Sequence, residues 1–160
     1  MAARRAHPSQ AGRPAPPSLF EAAQSRESEL AGTVPLAERM RPRTLDDIAG
    51  QLEDRAATLG LEIDLRQSNH EGHLVDWLHE AQEQGARAVL LNAGAFTHTS
   101  LALYDAIRAI RTPVIEVHLS NPHAREAFRH KSYVGMAAKG SVAGFGAASY
   151  LLALEAAALL

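Results

Sequence analysis

The chain has 160 residues, of which 46% are hydrophobic, with no cysteine and a formal net charge of −2. That length allows one domain of ordinary size with its own core. The missing cysteines exclude a disulfide framework and thiolate metal sites, and the near-balanced charge argues against a general nucleic-acid binder.

The first 43 residues differ from the rest. They hold six of the eight prolines and seven arginines against four glutamates, whereas residues 44–160 carry nine basic and fourteen acidic groups. This Pro- and Arg-rich leader has few apolar residues in periodic order. It is expected to be largely disordered, because it cannot bury enough surface to offset its chain entropy, with a short helix possible around Leu19–Leu30. Its start, MAARRAHPSQAGRPAPPS, has a twin arginine but no apolar stretch behind it, so it does not read as a secretory signal. No run of 18 apolar residues occurs anywhere, so no membrane span is expected. A cytoplasmic location follows as the expectation.

From Thr44 the pattern becomes regular. Thr44 caps a predicted helix to about Leu59, with Leu45, Ile48, Leu52, Ala56 and Leu59 on one face and Asp46 and Asp47 in the first turn. Gly60 ends it. LEIDLRQ (61–67) alternates apolar and polar residues, a strand pattern. Residues 71–84 return to helix, with Leu74, Trp77, Leu78 and Ala81 on one side and Gly85 as terminator. ARAVLLN (86–92) reads as a strand covered on both faces. The loop NAGAFTHTS leads into a helix over about 100–110. PVIEVHL (113–119) is a third strand, NPHAREAF a loop with a short helical turn, SVAGFG (141–146) a weak fourth strand, and 147–159 the last helix. Strands alternating with helices predict a parallel sheet covered on both faces, an α/β three-layer sandwich. Ligand sites in such sheets lie at the carboxyl ends of the strands. The polar clusters QSNHEG, NAGAFTHTS and HLSNPHAREAFRH each follow a predicted strand.

Seven of the eight histidines fall between 70 and 130. His70, His73 and His79 match no zinc spacing and read as surface residues of an amphipathic helix. His98, His118, His123 and His130 lie in or beside the polar loops, where an acid or base is better placed. A hydrogen-bonded structural histidine is the competing reading.

QSNHEGHLVDWLHEA, LNAGAFTHTSLALYDAI, PVIEVHLSNPHAREAFRHKSYV and KGSVAGFGAASYLLAL together resemble the type II 3-dehydroquinate dehydratases, from about Thr44 to Leu154. The resemblance implies a flavodoxin-like fold and dodecamers built from trimers. It also implies, without any cofactor or metal, an anti elimination of water from 3-dehydroquinate to 3-dehydroshikimate through an enolate. The family serves the shikimate pathway or quinate breakdown. Carried over by position, His118 is implied as the proton donor to the departing hydroxyl. Asn92, His98, Asp105, Leu119, Ser120 and Arg129 are implied as substrate-binding residues, Arg129 by pairing with the substrate carboxylate. Glu116, two residues before His118 and so on the same strand face, would orient it. Asn69 and Glu71 match supporting positions. Ala93 stands where the family usually has proline.

The same resemblance implies parts that this chain lacks. The family's first strand leads into a loop of the type NGPNLNLLG and a lid of the type GTREPxxYG, whose tyrosine is the base. Met40 stands at the tyrosine position and Pro35 near the lid arginine. No tyrosine precedes Tyr104 and no asparagine precedes Asn69. Residues 18–51 resemble instead the start of replication-associated recombination ATPases of the AAA+ class, though the chain has no phosphate-cradling G-x-x-x-x-G-K-[ST] loop. The expectation is a dehydroquinase-like domain over 44–160 joined to a foreign leader over 1–43. The domain would lack its central first strand, since the flavodoxin-like order is 2-1-3-4-5. An empty central slot should leave backbone groups unpaired at about 1–3 kcal/mol each, against a total stability of about 5–15 kcal/mol. That works against folding and against assembly into the family's dodecamer.

Overall fold

The structure, a computed structural model, describes residues 45–160. The expected leader, its helix near Leu19–Leu30, the Thr44 cap and most of the AAA+-like stretch lie outside the described residues.

Helix α1 (Leu45–Thr58) forms as the periodicity predicts. Leu52 and Ala56 are buried, and Ile48 and Leu59 pack beside them. Gly60 ends the helix with φ +69°, a conformation glycine adopts without strain. Helix α2 (Glu71–Glu83) buries Leu78. Strand β1 (Val89–Leu91) is followed by a 3₁₀ turn (Gly94–His98) and helix α3 (Leu101–Ala109). Ser100 is the N-cap of α3, its hydroxyl accepting a 2.8 Å hydrogen bond from the Leu103 N–H. Strand β2 (Val114–His118) leads into two short 3₁₀ turns, Pro122–Ala124 and Ala127–Arg129. Helix α4 (Tyr133–Ala137), strand β3 (Gly140–Ala143) and helix α5 (Ala148–Ala158) complete the described chain.

The three strands form one parallel sheet in the order β1-β2-β3. β2 is central and buried on both faces. Its alternation divides the core. Ile115 and Val117 pack against Ala153 and Ala157 of α5. Val114 joins Leu78 of α2, Leu103, Ala106 and Ile107 of α3 and Val134 of α4 on the opposite face. Leu154 of α5 meets Leu52 and Ala56 of α1. Helices therefore cover both faces, and the α/β three-layer reading holds.

The strand expected over 61–67 is a correction: these residues adopt neither strand nor helix. Leu61 and Ile63 still pack toward α1 and α5, but Leu65 is 48% exposed. Alternation shows which side chains seek a core; a strand also needs a neighbouring strand to hydrogen-bond. Among the described residues none lies between this segment and β1. QSNHEG consequently follows an irregular segment rather than a strand end. The remaining strands are shorter than predicted, and α4, absent from the sequence-based expectation, fills the link between the second 3₁₀ turn and β3.

Candidate active site at the carboxyl edge of the sheet

β2 carries the chemistry to the sheet edge. Glu116 and His118 alternate with the core residues Ile115 and Val117, so both point to the face shared with α3 and α4. His118 Nε2 lies 2.9 Å from Glu116 Oε1. Glu116 is 3% exposed, yet its carboxylate is fully served. The hydroxyls of Thr97 and Ser132 donate to Oε1, and Ser141 donates to Oε2 at 2.7 Å. Ser141 is in register with Glu116 on the neighbouring strand. Burial pushes the Glu116 carboxyl up, but hydrogen bonds from His118, Ser132, Thr97 and Ser141 outweigh it and bring the pKa down to about 2. Glu116 is thus a permanent anion near neutral pH.

That anion dictates the state of His118. A carboxylate can only accept, so Nε2 of His118 carries a proton. Nδ1 is then the nitrogen available to a ligand, as acceptor in the neutral ring and as donor in the imidazolium. The His118 side chain is 11% exposed, enough for a small molecule to reach. His98 lies beside it, the two rings nearly parallel with centroids 6.5 Å apart. His98 Nδ1 donates to the Lys131 carbonyl at 2.8 Å, which leaves its Nε2 free of that bond.

The structure brings some expected site residues together and separates others. His98, Glu116 and His118 form one cluster. Asn92 follows β1, level with Val117 by the register Leu91↔Glu116, and its side chain is hydrogen-bonded to Tyr150 of α5 on the other face of the sheet from Glu116 and His118. Its Oδ1 accepts from the Gly94 N–H at 3.2 Å. Leu119 and Ser120 are exposed just past β2, and the Leu119 carbonyl accepts from Gly146 N–H at 2.9 Å. Asp105 is exposed on α3, and its side chain makes no hydrogen bond among the described residues. Arg129 is engaged elsewhere: its Nε donates to Glu126 at 2.8 Å and its guanidinium lies over the Phe128 ring. His123 and His130 neighbour each other in the same exposed loop. Asn69 and Glu71 lie beside the irregular 61–68 segment. His70, His73 and His79 are exposed, with Ser68 hydrogen-bonded to His73 Nδ1.

Sequence reasoning missed Thr97, Ser132 and Ser141, the hydroxyls that hold Glu116. Ser132 had a readable signal, being the N-cap of α4 with the Gly135 N–H donating to it at 2.7 Å. Thr97 and Ser141 reach Glu116 only through tertiary pairing. Gly135 was missed too: a Cβ there would sit 2.5 Å from Glu116 Oε2, so glycine is what lets α4 close over the carboxylate. Tyr150, hydrogen-bonded to Asn92, was likewise unmarked. Burial pushes its phenol up, only partly offset by Asn92, so it is a neutral phenol at physiological pH.

Comparisons with known proteins identify the family. The family model "Dehydroquinase class II" matches residues 37–158. The 3-dehydroquinate dehydratase of Rhizobium johnstonii is 60% identical over 114 residues, covering 71% of this chain and 78% of the relative. 3-Dehydroquinate dehydratase 1 of Agrobacterium fabrum gives the same identity and coverage. Among solved structures, the type II dehydroquinase from Propionibacterium acnes aligns with a TM-score of 0.69 at 38% identity, over 79% of this chain and 93% of that one. With a buried carboxylate–imidazole pair at the sheet edge and relatives at this identity, the chain belongs to the class II dehydroquinase family.

Proposed function

We propose that residues 44–160 bind 3-dehydroquinate at the carboxyl edge of the sheet and carry the proton-donating half of a dehydratase, with turnover strongly reduced in this chain. The observation that carries the reading is the buried Glu116–His118 pair at the end of β2, 2.9 Å apart. The reaction removes a proton beside the substrate ketone, forms an enolate, and expels the hydroxyl as water. His118 supplies the proton to that hydroxyl from Nδ1. Glu116 is a positioning residue: it holds the imidazole through Nε2. His98, through Nε2, and Asn92, Leu119 and Ser120 contact the substrate. Arg129 takes the substrate carboxylate after leaving Glu126, and Asp105 contributes from α3. No cofactor takes part.

The reduced turnover follows from the missing base. No tyrosine precedes Tyr104, and Tyr150 is held as a neutral phenol, so Tyr150 is no ready base in place of the family's lid tyrosine. Loss of a general base costs about 100- to 10,000-fold in rate. The test is enone formation from 3-dehydroquinate, followed in the near ultraviolet. Slow turnover that disappears in His118→Asn supports the proposal; turnover near that of a complete family member refutes it.

The missing base also favours a second reading, a non-catalytic substrate-binding or oligomer-joining protein. Calorimetric binding of 3-dehydroquinate with no enone formed would select it, and neither binding nor turnover would mark the chain as an inert product of gene fusion. The proposal takes the protein as cytoplasmic. It takes residues 1–43 as a leader foreign to the domain, whose AAA+ likeness brings no ATPase activity.

A further inference from the structure

β2 stops pairing at His118, which is in register with Ala143 at the end of β3. Leu119, Ser120 and Asn121 lie past the ladder, where no strand pairs with them among the described residues. The turn between β3 and α5, residues 144–147, holds them instead. The Gly144 N–H donates to the His118 carbonyl at 3.3 Å, and the Gly146 N–H donates to the Leu119 carbonyl at 2.9 Å. Gly144 has φ +93°, which residues with a side chain rarely adopt. It also lies against Asn121: a Cβ on Gly144 would sit 3.2 Å from Asn121 Cβ and 3.7 Å from its Cα. The turn is fixed in its own place by Ser149, fully buried in the first turn of α5, whose hydroxyl accepts from the Phe145 N–H at 3.2 Å. Asn121 passes the constraint onward. Its Oδ1 accepts from the His123 N–H at 3.0 Å and so starts the 3₁₀ turn that leads toward Arg129.

We infer that Gly144 is a positioning residue for substrate binding: by closing on Asn121 and the His118 carbonyl, its turn sets the backbone of Leu119 and Ser120 and the point where the Arg129 loop departs. The inference rests on the reading of Leu119, Ser120 and Arg129 as substrate contacts. Leu119 and Ser120 are exposed, so packing of their own side chains does not fix them. A segment left loose would have to be ordered when the ligand binds, and that ordering subtracts from affinity. The Glu116–His118 pair is held separately, by the ladder and by the hydroxyls around Glu116. Disturbing the turn therefore acts on binding while the pair stays in place.

The test is Gly144→Ala in the full chain, with two readouts: 3-dehydroquinate affinity by calorimetry, and amide hydrogen exchange at Gly146 and at Val117, buried in the centre of β2. The new Cβ must push Asn121 away. The expected result is an affinity about 10- to 100-fold weaker, with faster exchange at Gly146 and unchanged protection at Val117. Ser149→Ala adds no atom and removes only the acceptor of the Phe145 N–H, so it should move both readouts in the same direction by a smaller factor. If Gly144→Ala also exposes Val117, the fold is lost and Ser149→Ala decides by the same criteria. Faster Gly146 exchange with unchanged affinity overturns the inference, because the turn would then serve the fold alone. Weaker affinity without faster exchange, or no change in either, overturns it too. In these cases the parent still binds 3-dehydroquinate and the proposed function stands. A parent chain that binds none refutes that function, and this inference falls with it.

Discussion

Glu116 and His118 sit one strand period apart on β2, and their side chains meet at 2.9 Å. The contact joins the interior to the sheet edge: Glu116 is anchored by three hydroxyls below the surface, and His118 opens to it. The carboxylate therefore fixes both the orientation of the imidazole and the nitrogen it offers. Replacing Glu116 by Gln keeps the volume and removes the carboxylate that orients the imidazole. Residual enone formation should fall about 10- to 100-fold, with the pH profile altered and 3-dehydroquinate affinity nearly unchanged. A parallel loss of affinity would show that Glu116 acts only by holding the fold.

Acid should unfold the domain through the same residue. The folded Glu116 carboxyl has a pKa of about 2, below its ordinary value of 4.5. A depressed carboxyl stabilises the fold above its unfolded pKa and loses that contribution as pH falls through the folded one. The window is therefore about pH 4.5 down to 2. The contribution is at most about 3 kcal/mol, less what solvent screening removes. Urea midpoints measured from pH 6 to pH 2 should drop more steeply in the parent than in Glu116→Gln.

Gly135 tests the closeness of α4. An alanine Cβ would press on Glu116 Oε2 at 2.5 Å, so Gly135→Ala must move either the helix or the carboxylate. The expected cost is about 1–3 kcal/mol, read as a lower urea midpoint. A neutral result would mean that α4 shifts freely.

Arg129 and Glu126 make an opposite prediction. The Arg129 guanidinium is held by Glu126 at 2.8 Å, a contact that competes with a substrate carboxylate. Glu126→Gln should tighten 3-dehydroquinate binding several-fold in calorimetry, while Arg129→Ala should weaken it at least tenfold. Unchanged affinity in both would remove Arg129 from the site.

Ser100 offers a check on the fold alone. It caps α3, its hydroxyl accepting the Leu103 N–H, and is buried. Ser100→Ala should cost about 1 kcal/mol, seen as a lower thermal midpoint, and should leave any 3-dehydroquinate affinity intact.

Much of this was legible in the residues themselves. Apolar spacing over 45–59 and 71–84, the terminators Gly60 and Gly85, and the continuous runs at 86–92 and 113–119 express local preferences and burial patterns that a chain carries wherever it goes. The i, i+2 step from Glu116 to His118 needed only the strand period. The polar blocks around Asn92, His98 and His118 were enough to name the family. The LEIDLRQ pattern has the same local strand character and yet forms no strand, because a ladder requires a neighbour that local pattern cannot provide. Thr97 and Ser141 gain their meaning only when 3₁₀ turn, β3 and β2 converge on one carboxylate. The residues alone settled which side chains seek the core and which carry chemistry. Which strands have partners, and which hydroxyls keep a buried charge satisfied, was decided by tertiary pairing, because hydrogen bonds and burial belong to pairs of segments rather than to either one.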